Sequence, residues 1–347
     1  MQSWRTKDSH CVDDGMTRCA AREYNLSVRI RLTQIDGSLP NLALMKLAHW
    51  HRSRGDDVHF TRSITRGRFE PHYDCVYGSV IFEFSEPHLA IFRKTWPGAV
   101  VGGSGAGSNL LTLTVESLTG QEYEHYDYSD YPDFEDSMGF TQRGCRLNCG
   151  FCLVRAKEGR PRSVNSIADI WRGRPWPKRL RLLDNDFFGQ PREQWQARIR
   201  EIRVGGFRVN ITQGINIRLI DDESAQALAG IQYRDSKFER RKLYTAWDNL
   251  KDEAVFFRGV DRLSRAGIPP THLRVYMLVG YDKAETWPRI FYRFERMTEM
   301  GIQPFVMVKD RSRIDLRDFQ RWANLGLYRF VPWSEYRPRQ VRSTRAT

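Results

Sequence analysis

From Val28 onward, short apolar runs of strand length alternate with longer stretches whose apolar residues recur at helical spacing, and that alternation restricts the folds open to the chain. Val28, Ile30 and Leu32 alternate as in a strand, Asp36-Gly-Ser-Leu-Pro40 makes a turn, and 41–50 follows as a helix stopped by Gly55. Further strand runs at 58–60, 75–82 and 99–101 flank a helical stretch near 87–95. Parallel strands need long crossovers, so this order reads as a parallel sheet wound on both faces. Past residue 139 the pattern resumes. Strand runs fall at 180–183, 207–212, 242–246, 273–279 and 303–307, and helical stretches at 165–173, 191–202, 222–229, 251–266, 285–300 and 315–324. With one strand leading into residue 145 this makes about six βα units, fewer than the eight of a closed barrel, and implies a partial, open one.

A chain of 347 residues exceeds one average domain and suits two. The expected division is a disordered extension at 1–25 (in which Met16 is an alternative start), an α/β domain at 26–120, an acidic, tyrosine-rich linker at 121–138, a second α/β domain at 139–330 and an arginine-rich tail at 331–347. Gly102-Gly-Ser-Gly-Ala-Gly107 fails the dinucleotide pattern because Ser108 stands where it needs glycine, and reads as a strand-end loop facing a ligand. No run is long enough to span a bilayer, and the first residues lack the apolar core of a signal peptide. A cytoplasmic protein with no membrane partner is the expectation. The net charge of +13 permits a nucleic-acid partner without demonstrating one.

Of six cysteines, Cys11, Cys19 and Cys75 are scattered, while three share eight residues, Cys145-Arg-Leu-Asn-Cys149-Gly-Phe-Cys152. That distribution points to a metal site in a reducing compartment rather than to disulfide staples. Three soft thiolates at C-x3-C-x2-C suit a [4Fe-4S] cluster with one iron left open. Structural zinc wants four ligands, and the nearest histidine, His125, lies twenty residues before the loop. A remote fourth ligand such as Cys75 keeps the zinc alternative open: a non-catalytic, zinc-containing nucleic-acid-binding protein.

The loop, its lead-in Gly139-Phe-Thr-Gln-Arg-Gly-Cys145, the basic stretch Val154-Arg-Ala-Lys-Glu-Gly-Arg-Pro-Arg-Ser163 and the strand-end segment Asn210-Ile-Thr-Gln-Gly-Ile-Asn-Ile-Arg218 together resemble the radical S-adenosylmethionine (radical SAM) superfamily. The resemblance covers 27–336 and is to the subgroup with an N-terminal cobalamin (B12)-binding-like domain. It implies an α/β chain with a Rossmann/flavodoxin-like domain followed by a partial (β/α)6 barrel of TIM type. Cys145, Cys149 and Cys152 would hold the cluster and S-adenosyl-L-methionine the open iron. An electron from a donor such as flavodoxin or ferredoxin would cleave SAM to a 5′-deoxyadenosyl radical that abstracts hydrogen from a substrate. The resemblance leaves that substrate unidentified, with methyl transfer, methylthio transfer and RNA or nucleoside modification among the outcomes.

By the same likeness Phe151 would lie near the adenine. Asp184, Asn185 and Asp186 stand where many members carry Gly-Gly-Glu, and would accept hydrogen bonds from the methionine ammonium. Gln213 and Asn216 would face the pocket, and Arg218 would hold the SAM carboxylate or a ribose oxygen. Asp248, beside Asn249, would touch SAM or substrate. Plainer roles compete: an Asx-rich turn at 184–186, an ion pair from Arg218 to Asp221 or Asp222, and a helix cap at 248–249. Cobalamin binding stays open, because the D-x-H-x-x-G motif is absent and His49, His51 and His59 lack its spacing.

Overall fold

The computed structural model describes residues 28–107, 113–120 and 122–338, and the chain divides into two units, Met1–Glu135 and Asp136–Thr347. In the first, β1 (Arg29–Gln34), α1 (Leu42–Ser53), β2 (Asp57–Thr61), β3 (Cys75–Ser79), α2 (Glu86–Thr95), β4 (Val100–Gly102) and α3 (Val115–Thr119) follow in order. The strands form one parallel sheet, β2-β1-β3-β4. Side chains alternate across it: Cys75 and Tyr77 join Leu44 and Leu47 of α1, while Val76 joins Leu89 and Phe92 of α2. The two helices therefore cover opposite faces. α1 starts where the Asn41 side chain accepts the Leu44 N–H at 3.2 Å.

Residues 122–135, expected to be a linker, belong to the first unit. Tyr131 is buried, donating its hydroxyl to Gln34 at 2.9 Å and accepting the Asn41 N–H. Glu124 meets Lys46 at 2.7 Å, and Asp127 and Asp130 meet Arg52 at 2.7 and 2.8 Å. A tyrosine buries its ring and satisfies its hydroxyl at the rim, so an acidic, tyrosine-rich stretch docks on a basic helix face. The Gly102–Gly107 loop is tied to the end of β3: Val80 N–H donates to the Gly102 carbonyl and Gly105 N–H to the Val80 carbonyl, both at 3.0 Å.

The second unit runs β5 (Ser137–Gly139), β6 (Gln142–Arg143), α4 (Val154–Glu158), β7 (Arg162–Ser163), α5 (Ile167–Ile170), β8 (Arg179–Leu182), α6 (Arg192–Gly205), β9 (Arg208–Ile211), α7 (Asp222–Ala229), β10 (Gln232–Tyr233), β11 (Leu243–Ala246), α8 (Glu253–Arg265), β12 (Leu273–Val279), α9 (Trp287–Glu299), β13 (Gln303–Val308) and α10 (Ile314–Asn324). Two parallel sheets result, β10-β9-β8-β5 and β11-β12-β13, with β6 and β7 as a small antiparallel pair. Ile215, just past β9, bridges the two sheets: its N–H donates to Tyr244 at 2.8 Å and its carbonyl accepts the Thr245 hydroxyl. Leu180, Leu182, Val209, Leu243, Val275 and Val306 fill one continuous core with α6 to α10. Each such residue contributes about 1.5–3 kcal/mol by leaving water. Because the strands are parallel, the loops after β5, β8, β9, β11 and β12 all leave at the carboxyl ends.

The basic tail starts later than 331. Trp333 packs on Trp287 and Phe319, and Trp322 donates to the Val331 carbonyl at 2.7 Å, so aromatic burial anchors the segment through Tyr336. The expectations for 1–25 and for 339–347 lie outside the described residues. Among the described residues no helix is long and apolar enough to cross a membrane.

Candidate metal centre

The chain leaves β5, pairs β6 with β7, and so closes 144–161 into an excursion that carries all three clustered cysteines. At its base Gly144 has φ +80°, and a Cβ there would lie 2.3 Å from the Arg160 carbonyl, so only glycine lets the two arms approach. Glu158 gathers Arg143 and the Gly144 N–H at 3.1 Å each and the Asn185 amide at 2.7 Å. Arg155 donates to the Cys145 carbonyl at 2.8 Å. At the tip, a Cβ on Gly150 would sit 2.6 Å from the Tyr281 hydroxyl, and Phe151 meets the Tyr281 ring edge-on at 5.2 Å.

Cys145 and Cys149 are half-buried and Cys152 is exposed. Burial pushes the Cys145 thiol up, with the Leu147 N–H opposing and Asp186, Cys152 and Cys149 adding to it. Among the described residues, however, no three His, Cys, Asp or Glu side chains are gathered round one point. Arg218, sent back from the end of β9, donates to Cys149 Sγ at 3.6 Å while pairing with Asp252 at 2.8 Å. The ion pair expected with Asp221 or Asp222 does not form; Asp221 caps α7 by accepting the Ser224 N–H. His125, the nearest histidine in sequence, stacks on His49 in the first unit, and Cys75 is held in a disulfide, which removes it as a fourth metal ligand and corrects the expectation of a chain without disulfides.

Asp184, Asn185 and Asp186 all hydrogen-bond to residues of the loop or its base. Asp184 is fully buried and accepts the Thr141 N–H at 2.7 Å, the Gln142 N–H at 3.2 Å and the Thr141 hydroxyl. Burial raises its pKa to about 7 against those hydrogen bonds. Asp186 accepts the Arg146 backbone N–H at 3.2 Å and the Nε and Nη2 donors along one edge of its guanidinium at 2.7 and 2.9 Å. Gln142 closes the network, accepting the Asp186 N–H at 2.9 Å and donating to the Gly144 carbonyl at 2.7 Å. A loop without regular structure needs acceptors for its N–H groups, and buried carboxylates need donors; each supplies the other. Asp186→Ala is therefore expected to cost about 2–3 kcal/mol and to loosen the loop, since it strips a charged partner from Arg146. Urea unfolding and the rate of tryptic cleavage at Arg146 would measure this; parent-like values for both would contradict the brace.

The remaining residues face elsewhere. Asn216 has a buried Nδ2 with no hydrogen-bond partner, and Gln213 is exposed. Asp248 is largely buried, which raises its pKa, and accepts the Leu278 N–H at 2.9 Å. With Phe151, Asn249, Leu278, Tyr281 and Lys283 it lines a cleft of ≈ 460 Å³ at the carboxyl ends of β11 and β12. Asn249 does cap, accepting the Lys251 N–H. Four residues went unread in the sequence: Arg146, Glu158, Tyr281 and Arg293. Arg293 is buried and donates to the Trp247, Asp248 and Leu278 carbonyls at 3.0 Å each while pairing with Glu285, tying β11 to β12 beneath the cleft. Its position in the apolar stripe of α9, between Ile290 and Met297, was the signal available. No family model, no curated protein and no solved structure matches this chain.

Proposed function

We propose that the second unit is a radical SAM domain whose cysteine loop holds a [4Fe-4S] cluster over the cleft at the strand ends. What carries the reading is the placement of three thiols on the loop after β5, joined to that cleft through Phe151 and Tyr281. The donor set suits the group: three thiolates, a guanidinium beside one of them, and an unpartnered buried amide on Asn216. When bound, the cluster supplies the electron that cleaves SAM to methionine and a 5′-deoxyadenosyl radical. We read the two parallel sheets, bridged at Ile215, as one six-stranded partial barrel with β10 at an edge.

The chain's own residues then divide the work. Glu158, Asp184 and Asp186 fix the loop from beneath. Arg218 offers its guanidinium to the SAM carboxylate, while its contact with Cys149 sets its reach. With Asp184 and Asp186 spent on the loop, Asp248 is the carboxylate of the expected set that faces a cleft, and the ammonium falls to it. Phe151 and Tyr281 give an apolar wall for the adenine, which also keeps water from the reacting atoms.

The order β2-β1-β3-β4 with helices on both faces supports a flavodoxin-like, cobalamin-binding-like first domain. Of the three histidines near the expected region, two are engaged elsewhere. His51 is bound to Asp56 and Tyr77 in the core, His49 to Tyr123, and His59 lies within β2. The test is anaerobic reconstitution of the full chain. Iron and sulfide uptake, a reducible electron-paramagnetic-resonance signal and release of 5′-deoxyadenosine from SAM with dithionite are expected. Protein that takes up no iron, or that loads it and leaves SAM intact, would sink the proposal.

A further inference from the structure

Four basic side chains gather at the amino-terminal ends of β11 and β12. Arg240 and Arg241 precede β11 on exposed loop positions, Lys242 adjoins them, and Arg274 sits at the start of β12. None makes an ion pair among the described residues. Lys242 Nζ donates to the Thr271 carbonyl at 3.3 Å, and Arg274 holds the Gln303 side chain at 3.1 and 3.0 Å. Arg241 lies over the Tyr233 ring and Arg274 near Phe305, at 5.4 and 5.8 Å, so ring faces orient both guanidinium planes. The carboxylates of the same loop are Asp235 and Glu239, and Asp235 Oδ1 is already taken by the N–H groups of Lys237 and Glu239.

The cations feel one another. Burial lowers the Lys242 pKa, and Arg274, Arg240 and Arg329 lower it further while Asp235 opposes them; burial, Arg241 and Lys242 likewise lower that of His272, whose Nδ1 meets the Tyr233 hydroxyl at 2.7 Å. Like charges held close, offset only in part by Asp235, cost free energy that a bound polyanion would return. The group runs across neighbouring strands, which lie about 4.8 Å apart, as a row rather than a single pocket. Such a row suits a chain of repeating phosphates. Arginine forks oriented by aromatic rings suit tetrahedral oxyanions better than they suit scattered side-chain carboxylates.

We propose that this amino-terminal edge of the second unit, the end opposite the cysteine loop, binds the phosphate backbone of a nucleic acid through Arg240, Arg241, Lys242 and Arg274. Being remote from the cleft, it anchors the polymer and does not present a base to the reaction pocket. The assignment stands apart from the cluster chemistry, and a Cys149→Ala chain should bind equally.

The experiment is fluorescence anisotropy of the full chain with a labelled single-stranded RNA, the DNA of the same sequence and poly-glutamate, across a salt series. RNA and DNA should bind above poly-glutamate. The Arg240→Glu/Arg241→Glu/Arg274→Glu chain should bind about 10-fold or more weakly, with the salt slope shallower by about 2. The milder Arg240→Gln/Arg241→Gln pair covers a failure of the first to fold, and should shift both readouts the same way by less. Arg192→Glu, which reverses an exposed arginine paired with Glu223, should leave binding unchanged, as should Arg339→Ala/Arg342→Ala/Arg345→Ala in the tail. Equal binding of poly-glutamate, parent-like binding by both variants of the row, or loss of binding in the tail variant would overturn the proposal.

Discussion

Alanine at Cys145, Cys149 or Cys152 is expected to abolish iron–sulfur loading and to cut SAM cleavage by more than about 100-fold, beyond the usual loss on removing a residue that merely supports a ligand. Each thiolate is one of three protein bonds to a four-iron centre, so none of the three has a substitute on the loop. The fold should survive. Cys152 is exposed and Cys149 half-buried, and neither belongs to the hydrophobic core. Urea midpoints of these two variants should stay near the parent's, while bound iron and sulfide fall to background. The same measurement separates the zinc alternative, which expects one zinc per chain and no iron in the parent. Alanine variants that load iron and cleave SAM as the parent does would remove the basis of the proposal.

The secondary structure was largely readable because burial imposes the periods that the sequence carries. β12 occupies 273–279 as expected and alternates buried with half-buried residues along its whole length; α7 matches at 222–229. The stretch expected as a helix at 165–173 shrinks to the single turn of α5, started by the Ser166–Asp169 capping box and ended before Gly173-Arg-Pro175, where the backbone cannot continue helical. The two-residue strand β10 is too short to have a period. At 122–135 composition showed a tyrosine-rich connection but not which unit receives it, because the basic face of α1 lies far away in sequence.

The site was readable in its donors and not in its supports. The cysteine spacing is local, and one loop carries it. Whether Asp184 faces a ligand or a loop depends on Thr141, more than forty residues earlier, and no period reports such a pairing. An Asx-rich strand end looks alike in both cases. Arg146 and Glu158 lay within the segments that carry the resemblance, yet their partners Asp186 and Asn185 come from the next strand end.

The buried carboxyl of Asp184 gives the second large prediction, a loss of stability as pH rises. Its ordinary value of 3.8 is raised to about 7 by burial, so between those limits the folded chain keeps a proton that the unfolded chain has released. Stability follows the unfolded-minus-folded difference in bound protons, which is negative here, and therefore falls as pH climbs from 4 to 7. That span is worth roughly 4 kcal/mol, fully incurred above pH 8. Other groups complicate the parent's curve. Asp248 is raised too and has the same sign, whereas His49 and His272 are lowered and add stability as pH rises through the histidine range. Asp127, Asp221 and Asp315 are lowered and are already ionised in this window. A difference measurement isolates Asp184. Asp184→Asn retains an acceptor for the Thr141 and Gln142 N–H groups and a donor for the Thr141 hydroxyl, which is the arrangement of the protonated acid. The stability gap between Asp184→Asn and the parent, read from urea unfolding, should widen in favour of the variant from pH 5 to pH 8. A gap constant across that range would mean that the carboxyl does not titrate there and that the three hydrogen bonds, not burial, set its charge.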